Sequence, residues 1–172
     1  MQSFKQGVFD GLCGYYSIIN AIHYIKSLRT KRAEKLLLTL VNHKPRLFNH
    51  RYTEGTYFDD VISLINIIKK EKGLTRLQYN TPFEDDYFDC IEEYVACLNE
   101  QLYGLGKIAI ISIGSPWHHW TVVPKVDLNK ERIEIFDSFY ERKYLSFDEL
   151  ALKRKRDKLE INTDETIILT IR

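Results

Sequence analysis

The chain has no long apolar run, no excess of charge of either sign and little sulfur, and each shortage excludes a class of protein. No stretch approaches the ~18 uninterrupted apolar residues that a membrane span requires. The opening residues Met1-Gln2-Ser3-Phe4-Lys5-Gln6 lack the apolar centre of a signal peptide. A soluble protein with no membrane partner is expected, acting in the cytoplasm or delivered by a specialised secretion system. Lysine and arginine total 25 against 24 acidic residues, a formal charge of +1, so no global field attracts phosphate backbones and nucleic acid is not an expected partner. Only 8 glycines and 4 prolines are present, which excludes collagen-like and low-complexity chains. Three cysteines, Cys13, Cys90 and Cys97, are too few and too odd for a disulfide framework and fit a reducing compartment with at most one special thiol.

What is present is enough to build a core. Of 172 residues, 44% are apolar, with 11 Tyr and 9 Phe, and the length suits one domain spanning 1–172. The polar stretches 42–55 and 74–82 read as the nearest things to linkers, and neither demands a second domain. From Cys13 onward Tyr16, Ile18, Ile19, Ile22, Ile25 and Leu28 recur at three- and four-residue steps, predicting a helix with one broad buried face. Further helices are predicted over 33–42, over 58–72 with Gly73 as its stop, and over 86–103 closed by Gly104. The period then changes, and strands are predicted over 107–113, 119–126, 132–136 and 166–171, with turns at Gly114-Ser115-Pro116 and 127–130. Ser146 and Glu149 stand at capping-box spacing and predict one more helix over 146–156. Helices first and strands later indicate an α+β fold with an antiparallel sheet against a helical half.

The chemistry concentrates at Gly7-Val8-Phe9-Asp10-Gly11-Leu12-Cys13-Gly14, where a glycine-rich loop delivers Cys13 to the start of the best helix. The positive end of a helix favours thiolate over thiol, and the thiolate is the nucleophile; Gly14 is read as leaving room for an approaching carbonyl. Cys90 and Cys97, seven apart on one predicted helix, are read as core filler. A thiol nucleophile needs a base. Of His23, His43, His50, His118 and His119, only the last pair opens a predicted strand, where alternation puts His119, Thr121 and Val123 on one face and His118, Trp120 and Val122 on the other. An imidazole in turn needs an orienting group, and Asp137 ends the next predicted strand, where an antiparallel hairpin can bring it beside His119. Donors for an oxyanion are expected from the Cys13 backbone and a side chain of the preceding loop, either Gln6 or Asp10.

The order Gln6, Cys13-Gly14, His119-Trp120, Asp137-Ser138 resembles that of the papain-like cysteine peptidase superfamily. Asp10-Gly11-Leu12-Cys13-Gly14 followed by an aromatic helix is similar to the bacteriocin-leader peptidase domains of export transporters and to bacterial effector proteases of the YopT and AvrPphB kind. His119-Trp120-Thr121-Val122-Val123 with Ile135-Phe136-Asp137-Ser138-Phe139 resembles strands of ubiquitin-like-protein proteases, in which the cysteine follows the aspartate. Asp-Gly-x-Cys is shared with ovarian-tumour-type deubiquitinases, whose histidine lies nearer the chain end. The superfamily resemblance covers 6–137 and implies a papain-like fold with Cys13 as nucleophile, His119 as base and then acid, Asp137 as its orienter and Gln6 as oxyanion donor. The spacing from Gln6 to Cys13 is one residue longer than the family's usual six.

The expected function is therefore a cysteine peptidase acting on a protein or peptide substrate through an acyl-enzyme on Cys13, with no cofactor and no metal. The same residues would serve a thiol-dependent acyltransferase, a deamidase or a peptidoglycan amidase. The non-enzymatic alternative is an inactive papain-like interaction module with an aromatic interface. The basic run Lys153-Arg154-Lys155-Arg156 is read as a solvated helix end.

Overall fold

The computed structural model describes residues 1–6, 11–43 and 55–171. Among these, four helices, α1 (Cys13–Lys26), α2 (Thr30–His43), α3 (Phe58–Ile68) and α4 (Ile91–Gln101), combine with eight strands. The strands are β1 (Leu77–Asn80), β2 (Lys107–Ile113), β3 (His119–Val123), β4 (Lys125–Asp127), β5 (Arg132–Glu134), β6 (Tyr144–Ser146), β7 (Leu150–Ala151) and β8 (Leu159–Ile171). The main sheet runs β1-β8-β2-β3, all antiparallel, with the short β7 added parallel to β8; β4-β5-β6 form a second antiparallel sheet. The α+β class expected from the sequence is the one observed. No helix among the described residues is long and apolar enough to cross a membrane.

Period-two alternation places the central sheet between two cores. Ile108 and Ile110 of β2, Trp120 and Val122 of β3, and Ile167 and Leu169 of β8 face α1, α2 and α3. Ala109, Ile111, Ile113, Val123, Ile161 and Ile168 face the other way, toward α4 and the small sheet. Both faces of a strand such as β2 are buried, which is why it reads as an unbroken apolar run, Ile108-Ala109-Ile110-Ile111. Helix α1 lies directly on β2 and β3, its buried residues running from Cys13 to His23.

Several boundaries differ from expectation for physical reasons. The run 119–126 is split because Pro124 has no N–H to continue a ladder, so β3 stays in the main sheet while β4 leaves for the second. The segment 74–82, read as linker-like, holds β1, an edge strand paired to the end of β8. Helix α4 begins at Ile91 instead of 86, because Phe83, Phe88 and Tyr94 pack edge to face at 5.2–5.6 Å and hold the preceding stretch outside the helix. Cys90 is consequently exposed ahead of α4 and Cys97 half-buried, which corrects the expectation that both fill the core.

The helix expected over 146–156 does not form. The Ser146–Glu149 capping box is present, but it opens only a 3-10 turn, Phe147–Glu149. Leu150 and Ala151 then pair with Leu159 and Glu160 of β8, and burial of Leu150 and Leu159 in the second core overrides the helix propensity of the following lysines and arginines. The basic run 153–156 is exposed in the connection between β7 and β8, not at a helix end.

Gly14 also has a different role from the one expected. A Cβ built there would stand 2.6 Å from Thr56 Cγ2 and 2.8 Å from Thr56 Cβ, so its bare backbone admits Thr56, which fills the space a side chain would take. Thr56 in turn accepts the Trp120 indole N–H on its carbonyl at 2.7 Å and donates its hydroxyl to Gly11 at 3.1 Å. Replacing Gly14 by Ala is expected to cost about 1–3 kcal/mol through overpacking, read from the urea midpoint. Coupling between Gly14→Ala and Thr56→Ala in a double-mutant cycle identifies Thr56 as the obstacle.

Candidate active site

Cys13 is the first residue of α1 and is buried, with 5% of its surface exposed. Leu12 at the N-cap has no side-chain acceptor, so no polar side chain of the cap residue covers the positive end of the helix. The first helical bond runs from Tyr16 N–H to the Leu12 carbonyl at 3.0 Å, which fixes the start of the helix at the cysteine.

His119 opens β3 and is also buried, 6% exposed. The chain reaches it through a tight turn in which His118 N–H donates to the Gly114 carbonyl at 2.6 Å. His118 holds a positive φ of 47° and its side chain is exposed, so the two neighbouring histidines part company at this turn. Of the other histidines, His23 is buried beside Phe4, His43 ends α2 at the surface, and His50 lies outside the described residues.

Asp137 arrives as the sequence suggested, beyond the β4–β5 hairpin. After β5, Phe136 N–H donates to the Val122 carbonyl at 2.8 Å, which extends the hairpin onto β3 and sets Asp137 beside His119. His119 Nε2 donates to Asp137 Oδ2 at 2.9 Å with both groups buried. Asp137 Oδ1 accepts from the backbone N–H groups of Phe139 and Tyr140, each at 2.7 Å. The carboxylate is thus fixed in an Asx-type turn of its own making. With Nε2 committed to Asp137, Nδ1 is the ring nitrogen left for the thiol.

The electrostatics of the pair favour charge separation. Burial pushes His119 down, but the hydrogen bond and charge of Asp137 and the interaction with the Cys13 side chain outweigh it, and its pKa rises from 6.5 to about 9. Burial pushes Asp137 up, yet its bonds to His119 and to the Tyr140 N–H prevail and hold it below the usual carboxylate value. Aromatic rings close over the contact. Tyr140 stands edge-on to His119 at 5.5 Å, Trp117 stacks on Tyr140 at 4.0 Å, and Phe139 lies 6.5 Å from the imidazole. Excluding water in this way strengthens the ion pair beneath.

Gln6 is brought to the same loop from the other end of the chain. Its backbone N–H donates to the Ser138 carbonyl at 3.1 Å, and its Oε1 accepts from the Ser138 hydroxyl at 2.9 Å. With the amide oxygen accepting in that bond, the amide nitrogen is the donor end of the side chain. Asp10, the rival for that role, and Gly7 of the loop lie outside the described residues. Ser138, Trp117, Phe139 and Tyr140 were not singled out by role in the sequence. The one local signal is an aspartate opening a turn, and nothing in it tells which hydroxyl will hold an amide 132 residues away.

Among the described residues, no cluster of three or more His, Cys, Asp or Glu side chains is arranged to hold a metal ion.

The charge on His119 has a consequence for stability. Its folded pKa exceeds the unfolded 6.5, so its contribution is complete below pH 6.5 and fades as pH rises through about 9. The Asp137 pKa is depressed from 3.8, so the carboxylate contribution is present above that value and lost as pH falls through the folded pKa. The two displacements record one contact. In urea titrations, the stability gap between wild type and Asp137→Asn is therefore expected to be widest at about pH 4–6.5 and to narrow toward pH 9.

No protein-family model matches the chain, and no curated protein matches its sequence.

Proposed function

We propose that this chain is a cysteine peptidase with a papain-like arrangement, hydrolysing a peptide or isopeptide bond through a thioester on Cys13. The observation that carries this reading is the convergence of three groups far apart in sequence. Cys13 at a helix start and Asp137 after a strand both act on the ring of His119, all three being buried.

In this reading the Cys13 sulfur adds to the scissile carbonyl as thiolate while His119 holds a proton, which Asp137 keeps on the ring. The tetrahedral oxyanion takes hydrogen bonds from the Cys13 backbone N–H and the Gln6 amide nitrogen. His119 passes its proton to the departing amine as the C–N bond breaks, leaving a thioester. Water then attacks the thioester, His119 accepts its proton, the C–S bond breaks, and the carboxylic acid product leaves with Cys13 restored.

The test uses a Cys90→Ser/Cys97→Ser background, because exposed Cys90 would otherwise dominate thiol labelling. In that background Cys13→Ala and His119→Ala are expected to lower kcat/KM on a cleavable peptide library by at least about a thousandfold, and Gln6→Ala by about a hundredfold. Product masses distinguish hydrolysis from transfer to an amine. Absence of turnover together with slow iodoacetamide labelling of Cys13 at every pH would overturn the proposal and favour an interaction module.

The pH profile supplies a second test. With His119 raised to about 9, the alkaline limb of kcat/KM is expected near pH 9, where the imidazolium is lost. Asp137→Asn removes the charge that raises it, so the limb is expected to move to lower pH.

A further inference from the structure

We propose that Asn20 is a positioning residue that couples the helix bearing Cys13 to the loop bearing Asp137, through a strap formed by residues 3–6. Asn20 lies seven positions beyond Cys13 on α1 and is fully buried, 0% exposed. A side-chain amide in that position would ordinarily be a liability, since buried polar groups must be satisfied. Here both ends are used on one residue: Oδ1 accepts from the Phe4 N–H at 2.8 Å and Nδ2 donates to the Phe4 carbonyl at 3.1 Å. The side chain thus pairs with the backbone of Phe4 as a neighbouring strand would.

On both sides of Phe4 the strap grips the catalytic loop. Ser3 Oγ donates to the Asp137 carbonyl. Lys5 Nζ donates to the carbonyls of Asp137 at 3.4 Å and Tyr140 at 3.3 Å. Gln6 makes its two bonds to Ser138. The Phe4 ring sits 4.6 Å from the ring of His23, and His23 lies 6.1 Å from Phe136, the residue before Asp137. Helix, strap and loop are therefore tied through Asn20, and the strap ends on Gln6, the oxyanion donor in the reading above. The inference rests on that reading for its kinetic consequence, but the geometry it describes can be measured without turnover.

Only an amide suits this position. Aspartate keeps the shape but loses the donor and buries a charge, and leucine leaves the Phe4 N–H and carbonyl unpaired. Asn20 acts through the strap: its two bonds go to the Phe4 backbone and not to the reacting groups. Loosening it lets the Asp137 carboxylate move relative to His119, and displacements of about 1 Å in such sites cost on the order of a hundredfold in rate.

Among the described residues, the titratable groups facing His119 are Cys13 from α1 and Asp137 and Tyr140 from the loop after β5, so the His119 titration reports on that loop. The experiment is an NMR titration of His119 in wild type, Asn20→Asp, Asn20→Leu and Ser3→Ala, together with kcat and KM. A fall of at least about half a unit in the His119 midpoint, with kcat reduced roughly tenfold or more and KM little changed, supports the proposal. Ser3→Ala, at the periphery, carries the test if the Asn20 variants do not fold. Lower melting temperatures with an unchanged His119 midpoint would overturn it. If wild type turns over no substrate, the midpoints alone still decide on the strap, and only the catalytic reading fails.

Discussion

The hydrogen bond between His119 and Asp137 is the contact around which the described structure is arranged. A carboxylate and an imidazole are both expensive to bury singly. Here each is made tolerable by the other, by two backbone N–H groups on the second carboxylate oxygen, and by aromatic rings that keep water out. That arrangement requires β3 and the end of the β4–β5 hairpin to lie side by side. The Phe136 N–H to Val122 carbonyl bond joins them.

The two cores serve this contact from opposite sides of one sheet. On the first, α1 lies against β2 and β3 and carries Cys13 toward His119; on the second, α4 and the small sheet hold the hairpin that returns Asp137. The small residue at Gly14 belongs to the same design. It lets Thr56 press against the helix start, and Thr56 also takes the indole N–H of Trp120, the residue next to His119. Cysteine and histidine are thus held through a shared neighbour as well as by their own interaction.

Legibility in the sequence followed the range of the forces involved. The start of α1 at Cys13, the full extent of β2 and the start of β3 at His119 match because local periodicity and turn residues decide them. The helix expected over 146–156 was lost because a few residues of capping and propensity were outweighed by burial of Leu150 and Leu159 and by the pairing of β7 with β8. Cys90 was misplaced for a related reason, since an aromatic cluster decides where α4 begins. Strand alternation put His118 and His119 on opposite faces without saying which one meets Cys13, and the turn that exposes His118 was not legible.

The sequence by itself determined the α+β class, though β1 comes before the last helix, and it singled out Cys13, His119 and Asp137 as the residues worth placing together, because these rest on period, turn chemistry and residue type. Only the tertiary structure decided that they meet, that Gln6 is tied to Ser138, and that Asn20 binds the strap that reaches both. Those contacts span from 16 to 132 residues. Their partners are selected by packing across the sheet, which no local pattern in the chain encodes.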